Sequence, residues 1–77
     1  MIKTYKERLR ELREDRDINQ TVIAELLNTS QTVYSRYERG ERKIPVEHLI
    51  TLADYYGTST DYILGRTNER NPYPKAK

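Results

Sequence analysis

The sequence predicts an all-α fold, a compact domain of five short helices, and three observations carry that prediction. Its 77 residues leave room for one domain, and with 35% apolar residues and no Phe or Trp the core must be built from Leu, Ile, Val, Ala and Tyr. Apolar residues recur at spacings of three and four, as in Tyr5, Leu9 and Leu12. Good helix caps punctuate the chain, with Thr4, Asn19, Ser30 and Ser59 placed to open helices and Asn28, Gly40 and Gly57 placed to close them. The absence of Cys excludes a disulfide scaffold and a Cys-ligated zinc site. No apolar run approaches ~18 residues and the N-terminus lacks the apolar segment of a signal peptide, so a soluble, intracellular protein is expected.

Taken in order, Thr4 N-caps a first helix running to about Arg16, with Tyr5, Leu9 and Leu12 on its buried stripe and alternating charge on the rest. Asp17 stands at the C′ position, where a left-handed residue is needed. Ile18 re-enters the core, and Asn19 caps a second helix, Gln20 to Leu27, whose inner face is Ile23, Ala24 and Leu27. Ala24 is small enough for the next helix to cross closely. Asn28 gives a left-handed exit, and Thr29 and Ser30 lead at once into a third helix that ends at Gly40. Two helices joined by about three or four residues form a helix-turn-helix unit. After the loop Glu41 to Ile44, Pro45 fits the first position of a fourth helix, the most apolar segment, with Val46, Leu49, Ile50, Leu52, Ala53 and Tyr56. Gly57 ends it, Thr58 or Ser59 caps a short fifth helix, and Tyr62, Ile63 and Leu64 close the fold before Gly65. The expected organisation is a domain over residues 1–65 and a loose polar tail over 66–77, which holds Pro72 and Pro74.

The third helix has two unlike faces. Tyr34 and Tyr37 sit three apart on the inward side, while Gln31, Thr32, Ser35, Arg36 and Arg39 line the other, with no acidic member. Such a stripe suits the donor and acceptor edges of bases in a major groove and the phosphates beside it. Charge agrees: residues 31–43 hold Arg36, Arg39, Arg42 and Lys43, whereas residues 44–65 hold no Lys or Arg and carry Glu47, Asp54 and Asp61. The net charge of +2 is small, but its placement favours a polyanion at the Ser30 to Lys43 side.

The run Asn19-Gln20, Ile23-Ala24, Leu27-Asn28, Ser30-Gln31, Ser35-Arg36 and Glu38-Arg39-Gly40 resembles the phage repressor and Cro helix-turn-helix family, the XRE family. Leu9-x-x-Leu12-Arg13, Leu49-x-x-Leu52-Ala53 and Asp61-Tyr62 extend the likeness to roughly Lys3 through Gly65. The resemblance implies a lambda-repressor-like domain. It implies that Gln31, Thr32, Val33, Ser35 and Arg36 meet base edges, with Val33 near a thymine methyl. It also implies that Asn19 and Gln20 serve backbone contact and bracing, with Gln20 bracing the recognition helix and touching a phosphate, that Arg39, Arg42 and Lys43 hold the backbone, and that Arg13 and Glu38 form an internal ion pair. Ile50, Tyr55, Thr60 and Ile63 fall near the surface that pairs two subunits in the family. Asn28 stands where the family usually has Gly, and Thr29 where it usually has an apolar residue.

The expected function is therefore sequence-specific binding of double-stranded DNA by a transcriptional regulator, a homodimer on a palindromic operator, in the cytoplasm of a bacterium or from a phage. Repression is the expected mode, although the same face serves to occlude a promoter or to recruit polymerase. With twelve residues beyond Gly65, no attached sensing domain is expected. An enzyme would need a reactive constellation, and the chain offers His48 alone, no Cys, and no carboxylates clustered in an apolar setting. Neither a cofactor, a metal, a membrane nor a small-molecule ligand is suggested. The competing reading is an antitoxin-like or protein-interaction module, which should carry apolar anchors on the outer face of the third helix, where this chain has Gln, Thr, Ser and Arg.

Overall fold

Helix limits are set by caps in a computed structural model that describes residues 4–72. Helix α1 (Tyr5–Asp15) opens at Thr4, whose N–H and hydroxyl both donate to Glu7 Oε1, at 3.2 and 3.0 Å. Asp17 then takes φ 55°, the left-handed exit expected of it. Helix α2 (Gln20–Leu26) starts under Asn19, whose Oδ1 accepts from the Val22 N–H at 3.1 Å. Asn28, at φ 57°, ends the unit, and the Thr29 N–H closes onto the Ala24 carbonyl at 2.9 Å. Helix α3 (Gln31–Arg39) follows directly, capped by Ser30 Oγ on the Val33 N–H at 3.1 Å and closed by Gly40 at φ 73°. Helix α4 (Val46–Tyr56) ends at Gly57, and α5 (Thr60–Ile63) is a single turn under Ser59, whose Oγ accepts from the Tyr62 N–H at 3.0 Å. Pro45 occupies the N-cap of α4 and not its first helical position, a shift of one residue that its fixed φ allows equally well. Among the described residues there is no strand, and no helix is long and apolar enough to cross a membrane.

Helix α3 packs against α1 and α2, α4 against α5, and α5 against α1. Their side chains share one core: Leu9 and Leu12 of α1, Ile23 and Ala24 of α2 with Leu27, Tyr34 and Tyr37 of α3, Leu49, Leu52, Ala53 and Tyr56 of α4, and Ile63 of α5. The rings of Tyr34 and Tyr37 meet edge to face at a centroid distance of 6.2 Å, which fills the space a Phe or Trp would otherwise take.

Two expectations are corrected. Ile63 is 0% exposed, a core residue unable to face a partner subunit; of the three consecutive apolar residues 62–64, a single helical turn aims only one fully inward, and Leu64, 41% exposed at the C-cap, points out instead. The chain beyond Gly65 is also not loose as far as Arg70. Arg8, buried on the Leu12 side of α1, donates from Nη1 to the carbonyls of Tyr62 (3.1 Å) and Thr67 (3.4 Å) and from Nη2 to Asn68 Oδ1 (2.8 Å), with its guanidinium 3.9 Å from the Tyr62 ring centroid. Thr58 Oγ1 donates to the Arg70 carbonyl at 2.6 Å, and Arg70 reaches Asp15 at 3.4 Å. The rest of the expected tail, residues 73–77, lies outside the described residues.

Candidate nucleic-acid interface

The outward face of α3 is presented by what lies beneath it. Burying Tyr34 and Tyr37 fixes the rotation of the helix, which leaves Gln31, Thr32, Arg36 and Arg39 exposed and Ser35 half-exposed along one side. Val33 is half-buried and packs on the core, so only part of it reaches the surface. Arg42 and Lys43 are exposed in the loop after Gly40, and Arg39 pairs at the surface with Glu41 at 3.4 Å. The bases singled out in the sequence thus gather at one end of α3 and its following loop.

A polar chain runs from the interior to this face. Arg13 grips Glu38 with two bonds, Nε to Oε2 at 2.7 Å and Nη2 to Oε1 at 3.1 Å, and donates from Nη1 to the Ile18 carbonyl at 2.9 Å. Gln20 Nε2 donates to Glu38 Oε1 at 3.1 Å, and Gln31 Nε2 donates to Gln20 Oε1 at 2.6 Å. The Glu38 side chain is only 3% exposed. Burial alone would raise its carboxyl pKa, but the hydrogen bonds from Arg13, the neighbouring Tyr34 hydroxyl, the Gln20 amide and the Arg13 charge together outweigh that and hold it below the usual carboxylate range. The Glu38 hydrogen bond in turn holds Arg13 above its ordinary value. Burial first, and the Glu38 charge second, push the Tyr34 hydroxyl well above the ordinary tyrosine value, so it stays neutral. The first and third helices are therefore locked together by a largely buried ion pair, which Gln20 links to Gln31 at the exposed start of α3.

The other residues marked in the sequence are placed as follows. Asn19 is spent on capping α2. Tyr55, 36% exposed, lies edge-on to Tyr56 at 5.2 Å with the Arg16 guanidinium 5.2 Å from its centroid, and Thr60 is half-buried at the start of α5. Ile50, 49% exposed, and Thr60 line one shallow depression with Ala53, Asp54, Thr58, Ser59 and Pro72. His48 is half-buried against the Tyr37 ring at 6.0 Å. Arg8 was missed by sequence reasoning, yet a signal existed: it lies four residues before Leu12 and three after Tyr5, on the buried stripe of α1.

A tight two-helix unit with an exposed polar second helix, set into a five-helix core, defines a helix-turn-helix domain. The chain belongs to the helix-turn-helix family, whose profile matches residues 9–63. It is 36% identical over 73 residues to the uncharacterized HTH-type transcriptional regulator YobD of Bacillus subtilis, covering 95% of this chain and 65% of that protein. It is likewise 36% identical over 70 residues to the HTH-type transcriptional regulator AnsR of the same organism, covering 91% of this chain and 60% of AnsR. The chain thus spans just under two thirds of the length of these curated relatives. Among solved structures, a transcriptional regulator from Listeria innocua superposes with a TM-score of 0.80 at 33% identity, over 90% of this chain and 64% of that one. The P22 c2 repressor, solved in complex with synthetic operator 9T, superposes with a TM-score of 0.74 at 29% identity, over 80% of this chain and 94% of that one.

Proposed function

We propose that the chain is a sequence-specific, double-stranded DNA-binding transcriptional regulator, acting as a repressor from the cytoplasm of a bacterium or from a phage, and not an enzyme. The observation that carries this reading is the outward face of α3, polar and basic over Gln31, Thr32, Ser35, Arg36 and Arg39, on a fold shared with a repressor solved on its operator. Gln31, Thr32, Ser35, Arg36 and the exposed part of Val33 are assigned to base edges. Gln20, Arg39, Arg42 and Lys43 are assigned to phosphates, and the ion pair Arg13–Glu38 holds the two sets in register. The protein-interaction alternative draws no support from this face, because none of its exposed members is a large apolar anchor.

We further infer that it binds as a homodimer. One recognition helix covers only about three or four base pairs, so selectivity requires a second half-site about 34 Å away. With Ile63 in the core, the pairing surface is assigned to the depression holding Ile50 and Thr60, with Tyr55 at its edge. Binding titrations against salt on duplexes with one and two half-sites test both statements. Affinity should fall steeply with salt, by about one unit of log–log slope per phosphate contacted, and two half-sites should bind cooperatively. Retention of DNA without sequence preference would overturn the regulator reading. Equal affinity per protein on both duplexes, unchanged by Ile50→Glu, would overturn the dimer.

A further inference from the structure

Resting on the reading of the α3 side as the DNA-binding side, we infer that Lys6 of the first helix is a further phosphate contact, a cation that residues 31–43 alone do not supply. The observation is the course of its side chain. Lys6 lies exposed in the first turn of α1, and its stem runs across Gly40 at the end of α3. A Cβ placed on Gly40 would meet Lys6 Cδ at 3.0 Å, Nζ at 3.6 Å and Cε at 3.8 Å. The missing Cβ leaves room for that course. The glycine that ends α3 therefore also seats a cation of α1 beside the turn that leads from Arg39 to Arg42 and Lys43.

Two features of the surroundings say what the ammonium does there. The C-terminal end of a helix carries about half a negative charge, which by itself opposes a phosphate at that end of α3. Lys6 offsets it, together with Arg36 and Arg39 of the last turn. The second feature is which cations are already engaged. Lys6 borders a cleft between α1 and the end of α3, shared with Glu7, Arg10, Glu11, Glu38 and Arg39. Arg10 pairs with Glu14 at 3.8 Å and Arg39 with Glu41 at 3.4 Å, whereas no carboxylate of a described residue lies within ion-pair reach of Lys6. Its charge is left for an anion from outside, and a DNA phosphate passing the end of α3 is that anion. A compact ammonium on a flexible stem meets a phosphate as a point charge, so the contact adds affinity and register without base preference.

The test compares the parent, Lys6→Gln and Arg10→Gln on the selected operator over a series of salt concentrations, with a thermal melt of each protein. Both variants lose one positive charge from the same helix, so an effect of net charge alone falls equally on both. Lys6→Gln should lower the log–log salt slope by about one unit per half-site occupied, and its deficit against the parent should shrink by roughly threefold per half-site between about 50 and 200 mM salt. Its base preferences should equal the parent's, and Arg10→Gln should keep the parent's slope. Ethylation of DNA phosphates locates the contact: one phosphate per half-site whose modification weakens the parent should cease to matter in Lys6→Gln. A parental slope and ethylation pattern in Lys6→Gln, even with a lowered melting temperature, would overturn the proposal and leave Lys6 as a cap on α3. Slopes reduced equally in both variants would overturn it as well. A parent that retains no DNA would overturn the DNA-binding reading itself, a distinct outcome.

Discussion

At Glu38, burial and charge pull in opposite directions, and the charge prevails because the carboxylate receives two bonds from Arg13 and one from Gln20. A pair of this kind is costly to break, about 3–5 kcal/mol when one partner is removed, because the other is left charged in the interior. Its folded pKa lies below the unfolded value of about 4.3, so its contribution to stability is complete above that value and is lost as pH falls through the lower, folded pKa. The thermal midpoint of the parent should therefore drop more steeply below about pH 4.3 than that of Glu38→Gln, which has no proton to take up at this site. Melts of both proteins across that range check this, and parallel curves would contradict it. Arg8 makes a second point at this scale. Sequence gave it the look of one more surface charge on α1, but five donors on a planar group let a single buried guanidinium serve two carbonyls and an amide oxygen at once.

Among the elements, the turns carry the geometry. Asn28 and Gly40 both sit in the left-handed region, at φ 57° and 73°, one between α2 and α3 and the other at the end of α3. Asn tolerates this conformation, and glycine adopts it freely. Gly40→Ala should cost about 1–2 kcal/mol from φ alone, with a further small cost because the new Cβ would lie 3.0 Å from Lys6 Cδ, a side chain able to swing aside. Asn28→Gly should leave stability equal or slightly higher. Denaturant midpoints decide both, and a Gly40→Ala midpoint equal to the parent's would contradict the role given to this turn. These turns also explain what was legible beforehand. Thr4, Asn19, Ser30, Asn28, Gly40 and Gly57 mark helix ends by local chemistry, which needs no knowledge of the rest of the fold, so five helices and the helix-turn-helix unit could be read directly. Ile63 could not be placed because a helix of four residues has too few turns to define a face, and Tyr62, Ile63 and Leu64 offered three phases. The path of residues 66–70 was illegible because it depends on Arg8, which bonds Thr67 and Asn68 from 59 and 60 positions away in sequence. That Gln20 braces the recognition helix was reached only through family resemblance, and its bond to Gln31 was not read at all, since ten intervening residues say nothing about two amides meeting.

For the molecule as a whole, the core and the outward face of α3 are two sides of one arrangement: the tyrosines that fill the interior set the rotation of α3. Leu52, 0% exposed at the centre of α4, tests the interior half. Its replacement by Ala should cost about 2–5 kcal/mol, comparable with the whole stability of a domain this small, and leave the protein largely unfolded. A thermal melt close to the parent's would contradict the packing of α4. The polarity of the molecule matters as much as its core. Arg36, Arg39, Arg42 and Lys43 cluster at the end of α3 and in the loop after it, while α4 and α5 contain no Lys or Arg, an asymmetry on which the proposed approach of a polyanion to the α3 side rests. The central claim is that the outward face of α3 reads base pairs, and it is tested most directly by titrating the parent, Arg36→Ala and Gln31→Ala against the selected operator and its single-base-pair variants. Each substitution is expected to cost about 1–3 kcal/mol and to relax preference at one base pair per half-site, leaving the remaining positions discriminated as before; variants that bind as tightly and as selectively as the parent would contradict it.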